Sequence, residues 1–195
     1  MKPHRITRED IMPMADYAAI RQEQRRRISQ AKRSRRVEVG PYSTFYFENY
    51  DTMWHQIHEM LFVEKGGDAQ IQDELDAYNP LIPNGNELVA TVMFEIPEAA
   101  RRTAVLHMVG GIEHHMLMSI GDDTIRGEPD ADRENTSSEG KASSVQFVRF
   151  TLTPSQKSAF KAREAVVRIG FDHPRYGHLA VVPPAVREAL ALDLV

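Results

Sequence analysis

Residues 87–96 read Glu-Leu-Val-Ala-Thr-Val-Met-Phe-Glu-Ile, and this stretch decides the fold. Apolar side chains occupy every second position in it: Leu88, Ala90, Val92, Phe94 and Ile96. Successive side chains of a β-strand point to opposite faces, so this alternation predicts a strand with one buried face. Strands buried on one face are typical of antiparallel sheets.

Helical and strand patterns flank residues 87–96 without a regular alternation of the two. Helices are predicted for residues 14–36, 52–64, 68–78, 97–108 and 153–163, with a last short helix after residues 183–184. Strands are predicted for residues 37–47, 112–120, 145–152 and 165–171. This order predicts one α+β domain over residues 1–195, with a mainly antiparallel sheet, helices packed on it and a long N-terminal helix.

The composition excludes several kinds of chemistry. The chain has 195 residues, 42% of them hydrophobic, and no cysteine. Disulfides, cysteine nucleophiles, zinc–thiolate sites and cysteine-ligated iron–sulfur clusters are therefore excluded. The first residues lack an apolar stretch, and no apolar run approaches the ~20 residues of a membrane helix. We expect a cytoplasmic protein that makes no contact with a membrane.

The net charge of −4 is unevenly distributed. Residues 21–36, within a basic N-terminal helical segment (residues 1–36), carry eight basic side chains and one acid, which gives +7. The other residues carry 16 basic and 27 acidic side chains, which gives −11. Such a stripe can bind an anion, a nucleic acid or an acidic protein surface. The candidate binding residues are Arg25, Arg26, Arg27, Arg33, Arg35 and Arg36. Nucleic acid is disfavoured, because the stripe lacks aromatic residues for base stacking.

Residues 121–144 are polar and acidic, with seven acids and three bases. This composition predicts a long acidic loop with a short hairpin around Ile125. Loops of this length are often functional or disordered.

A candidate metal site follows the predicted strand 165–171. Asp172, His173 and His178 offer carboxylate and imidazole ligands that suit zinc, iron or manganese. Alternatively, His173 acts as a general base beside Asp172 or Tyr176. A third interpretation is a plain turn in which Tyr176 covers the core.

Two further groups of histidines are weaker candidates. His55, His58 and Glu59 share a helical face and could bind a metal, or could be ordinary surface residues. His114 and His115 would point to opposite faces of a strand, so they cannot bind one metal together. We expect His114 to be buried beside Ile112 and Met116.

Four blocks of the sequence resemble a bacterial family, domain-of-unknown-function family 3501. The blocks are residues 47–61, 74–83, 141–150 and 172–176. The resemblance extends from about Ile6 to His178 and leaves residues 179–195 uncovered. One departure is that the family pattern has tyrosine and glutamine where this chain has His55 and His58.

The resemblance implies a genomic neighbourhood rather than an enzymatic activity. Members of the family tend to be encoded beside rubrerythrin-like proteins and iron–sulfur oxidoreductases. That setting implies an accessory protein of peroxide or redox metabolism that docks on an iron-dependent redox partner. The alternatives are a small metal-dependent enzyme using Asp172, His173 and His178, and anion or nucleic-acid binding by the basic helix. Self-association is left open.

Overall fold

A computed structural model describes residues 4–162 and 164–195 of the chain. These residues form six α-helices, numbered in chain order: α1 Met14–Arg33, α2 Tyr50–Glu64, α3 Gln70–Tyr78, α4 Ala99–Met108, α5 Pro154–Lys161 and α6 Pro184–Ala191. Asn49 caps α2, since its side chain accepts a hydrogen bond from the Thr52 N–H at 3.0 Å. The predicted end of the fifth helix at Arg163, and the first three residues of the basic segment, lie outside the described residues.

The same residues form nine strands, all paired in the antiparallel sense: β1 Arg36–Val39, β2 Ser43–Phe47, β3 Glu87–Phe94, β4 Met116–Ile120, β5 Asp123–Arg126, β6 Glu128–Pro129, β7 Val145–Thr151, β8 Val167–His173 and β9 Tyr176–Val181. One sheet has the order β1-β2-β3-β7-β6, and the other has the order β5-β4-β8-β9. The predicted α+β class with a mainly antiparallel sheet is confirmed.

The alternation in residues 87–96 identified the strand and its inner face, but the expectation of a single buried face was wrong, because Glu87 and Val89 on the other face are buried as well. Strand β3 lies at the centre of the first sheet, and Leu88, Ala90 and Val92 are buried. They share one hydrophobic core with Met118 and Phe171 of the second sheet. The two sheets therefore bury their inner faces against each other.

Helices cover the outer face of the first sheet. Val89 on β3 and Phe147 on β7 pack in a second cluster with Met53, Ile57 and Leu61 of α2. Helix α1 lies against α2, and only Tyr17 and Ile28 of its 20 residues are buried. Most of the α1 surface therefore faces solvent.

Two predictions near the N-terminus were wrong. Residues 37–47, predicted as one strand with a bulge or bend at Gly40 and Pro41, form a hairpin of β1 and β2 instead, because Gly40 turns the chain with φ 65°. The first helix ends at Arg33 instead of residue 36, since β1 begins at Arg36.

The middle of the chain also departs from prediction. Residues 112–115 form a 3₁₀ turn, and the strand begins only at Met116. The predicted long loop at 121–144 contains β5 and β6, and the expected hairpin is present, with Ile125 opposite Met118.

The end of the chain contains a strand that the sequence did not predict. Strands β8 and β9 form a hairpin that pairs His173 with Tyr176, so Pro174 and Arg175 make the turn. Among the described helices, none combines the length and apolar character needed to cross a bilayer.

Candidate functional site: the basic face of the first helix

The exposed side of α1 carries four of the seven arginines of residues 21–36. Arg25, Arg26 and Arg33 line a shallow groove of about 470 Å³ together with Gln22, Ser29 and Gln30. Arg27 is also exposed, and its Nε donates to Gln24 Oε1 at 3.1 Å. No carboxylate of the described residues forms an ion pair with any of these four arginines. We call this surface the basic face.

An ion pair fixes α1 to α2 on the opposite side. Arg21 donates from Nε and Nη2 to the two oxygens of Glu59, at 2.8 and 2.9 Å. The Tyr17 hydroxyl is buried and donates to Glu59 Oε1 at 2.7 Å. Hydrogen bonding by Arg21 lowers the pKa of Glu59 to about 2. Burial, followed by the Glu59 carboxylate, raises the pKa of Tyr17. The basic face is thus held on a rigid support.

The predicted helical metal site is part of this support. His58 is buried, its Nε2 accepts the Met12 N–H at 3.2 Å, and its Nδ1 donates to the Trp54 carbonyl at 2.7 Å. Burial lowers the pKa of both His58 and His55. Since both His58 nitrogens are engaged, the expectation of exposed surface histidines was wrong for His58.

Two arginines of the predicted set lie off the basic face. Arg35 is buried, and it donates to the carbonyls of Phe47 and Glu48 at 3.0 and 3.1 Å and pairs with Asp193. Arg36 lies on β1, with its Nη2 3.9 Å from Glu38 Oε1. Arg35 thus ties the turn after α1 to the segment that follows α6.

The structure separates the residues of the second predicted metal site. His173 and His178 lie on the inward side of the β8–β9 hairpin, whereas Asp172 lies on the outward side, because neighbouring strand residues alternate faces. His173 is buried, its Nδ1 accepts the Arg175 N–H at 3.2 Å, and burial lowers its pKa. The described residues contain no cluster of three or more histidines and carboxylates that could hold a metal ion.

Asp172 has other partners, which the sequence did not indicate. His115 Nδ1 lies 3.0 Å from one carboxylate oxygen, and Arg126 Nη1 lies 2.5 Å from the other. The 3₁₀ turn that aims His115 was not predicted, whereas Arg126 lies on the strand of the hairpin expected around Ile125. Asp172 can therefore orient the partly exposed His115 imidazole. His114, expected to be buried, is 73% exposed.

Comparisons with known proteins agree with the fold. The family model described as protein of unknown function (DUF3501) matches residues 5–194, which includes the end of the chain that the four sequence blocks left uncovered. The crystal structure of a protein of unknown function from Burkholderia pseudomallei K96243 is similar with a TM-score of 0.90 and 37% identity, over 97% of this chain and 99% of that chain. No curated protein matches the chain.

Proposed function

The chain belongs to the DUF3501 family of unknown function. From its surface, we propose that it is a cytoplasmic accessory protein whose basic face docks on an acidic redox partner. Arg25, Arg26, Arg27 and Arg33 are the docking residues. The family setting beside rubrerythrin-like and iron–sulfur proteins supports an iron-dependent redox protein as the partner.

One observation carries this proposal: three exposed arginines line one groove on α1, a fourth lies exposed on the same helix, and no described carboxylate pairs with any of them. Unpaired charge of one sign attracts a complementary surface, accelerates association and selects against like-charged partners. The hydrogen bonds from Tyr17 and Arg21 to Glu59 hold α1 in place. Partner binding therefore costs little conformational entropy of the backbone.

The charge of the rest of the chain favours a protein over a nucleic acid. A nucleic acid is longer than the row of arginines on α1, so some of its phosphates would lie next to other parts of the protein. The residues outside 21–36 carry a net charge of −11, which would repel those phosphates. Among the described residues that form the basic face, none is aromatic, so no side chain is available there for a base to stack on. A partner with a compact acidic patch avoids both problems.

The test is a pull-down with two matched double variants. Arg26→Glu/Arg33→Glu reverses two charges on the basic face, and Arg5→Glu/Arg175→Glu reverses two exposed charges elsewhere. Each tagged protein is incubated with lysate of its own source at low and moderate salt, and the retained proteins and iron are quantified. We expect wild type and control to retain an acidic iron protein at low salt, with at least a tenfold loss for the basic-face variant. Equal retention by all three proteins would refute the proposal, and so would retention of nucleic acid alone.

A further inference from the structure

An exposed apolar patch lies around the end of β9 and the start and end of α6. Leu192 is 82% exposed, Val181 58%, Leu179 55% and Val166 45%. Val166, Val181 and Leu192 line one groove of about 780 Å³, and Leu179 shares the outward side of β9 with Val181. Contiguous apolar surface of this kind in a soluble protein usually marks an interaction site.

The backbone of β9 adds unpaired hydrogen-bonding groups to this patch. The Val182 N–H donates to the Val167 carbonyl at 2.9 Å, which directs the backbone of Val182 and Ala180 toward β8. In an antiparallel ladder alternate residues face opposite edges, so Leu179 and Val181 present their N–H and C=O groups to the open edge. No strand of the described residues pairs with that edge.

The other sheet edges are protected, and β9 is not. Edge strands usually carry charged residues or proline, which discourage pairing with another chain. Among the described edge strands, β1 has Arg36 and Glu38, β5 has Asp123 and Arg126, and β6 is Glu128–Pro129. The β9 sequence, Tyr-Gly-His-Leu-Ala-Val, contains neither an acid, a lysine, an arginine nor a proline.

We propose that β9 pairs with β9 of a second copy of this chain about a twofold axis, so that the apolar patch becomes the centre of a homodimer interface. An antiparallel edge-to-edge contact joins the two four-stranded sheets and places Leu179 of one copy beside Val181 of the other, a favourable apolar pair.

The rim of the patch suits a symmetric contact. Lys161 and Glu164 line the same groove, both are exposed, and neither forms an ion pair within the described residues. A twofold interface brings the same surface from both copies together, so it has to be complementary to itself. Neighbouring charges of opposite sign meet that condition, because Lys161 of each copy can face Glu164 of the other.

The first arm of the test is the mass in solution. Sedimentation equilibrium of the full chain over a hundredfold range of concentration should show twice the mass of one chain at the upper end. Leu179→Lys/Val181→Lys should remain monomeric with an unchanged circular dichroism spectrum, while Val63→Lys, at an exposed valine of α2, should still dimerise. If the wild type is a monomer at every concentration, the proposal is wrong. This outcome would hold even if the patch bound a different protein.

The second arm uses the lack of cysteine in the natural chain. Leu179→Cys provides a single thiol at the proposed interface, and Val63→Cys provides one at a distant exposed site. A short bis-maleimide should cross-link Leu179→Cys into a covalent dimer at least tenfold faster than Val63→Cys. Equal rates for the two variants, or dimers that survive Leu179→Lys/Val181→Lys, would place the contact elsewhere and overturn the proposal.

Discussion

Arg21 of α1 and Glu59 of α2 form a two-pronged ion pair, with N–O distances of 2.8 and 2.9 Å, and Tyr17 donates a third hydrogen bond to the same carboxylate. This carboxylate joins an arginine-rich helix to the body of the protein. It satisfies one arginine internally, whereas the arginines of the basic face have no carboxylate partner in the described part of the chain. The pair thus separates the structural side of α1 from the side that we propose binds a partner.

Glu59→Gln should lower the free energy of unfolding by about 1–3 kcal/mol, because a charge-assisted network is weakened where Tyr17 is buried. Urea unfolding at neutral pH measures the change. Glu23→Gln, at an exposed position of α1, should change the free energy by less than about 0.5 kcal/mol. Equal effects of the two substitutions would show that the network contributes nothing.

The contribution of the Glu59 carboxylate to the free energy of unfolding should be lost at acid pH. The pKa of Glu59 falls from 4.5 to about 2 on folding, so its contribution is complete above pH 4.5 and declines as the pH falls toward 2. The difference in unfolding free energy between wild type and Glu59→Gln should therefore shrink over that range. A difference that stays constant from pH 6 to pH 2.5 would contradict the lowered pKa.

His58→Phe should destabilise the fold by about 1–3 kcal/mol at pH 7.5, because it removes the acceptor of the Met12 N–H and the donor to the Trp54 carbonyl. Burial lowers the pKa of His58, so below pH 6.5 the unfolded state binds a proton that the folded state excludes. The free energy of unfolding of the wild type therefore decreases as the pH is lowered. The difference in this free energy between wild type and His58→Phe should be smaller at pH 5 than at pH 7.5. Thermal unfolding at several pH values tests this, and a difference that widens would be inconsistent with it.

Arg35 should behave as a structural residue. Arg35→Met removes donors from the Phe47 and Glu48 carbonyls and from the Asp193 carboxylate, so we expect a loss of about 3–5 kcal/mol. The exposed Arg33→Met should change unfolding by less than about 0.5 kcal/mol while weakening partner binding. If Arg35→Met left the denaturation midpoint unchanged, the buried pair would have no role in stability.

Metal content tests the alternative of a metal-dependent enzyme. Asp172 lies on the opposite face of the hairpin from His173 and His178, so these residues cannot surround one ion without rearrangement. We expect elemental analysis of protein purified without chelator to give far less than one zinc, iron or manganese per chain. Near one metal per chain that disappears in His173→Ala would restore the enzyme hypothesis.

The sequence predicted the features that depend on local patterns. Alternating residues identified β3, the helical pattern of residues 153–163 identified α5, and the charge count identified the basic helix. Each of these signals lies within a few consecutive residues, where side-chain periodicity and capping determine the backbone.

The missed features depend on contacts between distant segments. Arg35 and Arg33 look alike in the sequence, yet Arg35 is buried because the chain turns after α1 and meets Asp193, 158 residues later. Similarly, His115 meets Asp172 only because β4 pairs with β8. The packing of distant segments decides both cases, and local periodicity carries no information about that packing.

The most direct test of the central claim is the amount of iron-containing protein retained by wild type and by Arg26→Glu/Arg33→Glu at low salt. We predict at least a tenfold loss for the variant, no loss for Arg5→Glu/Arg175→Glu, and weaker retention by wild type at moderate salt. Undiminished retention by a folded Arg26→Glu/Arg33→Glu protein would contradict docking through the basic face.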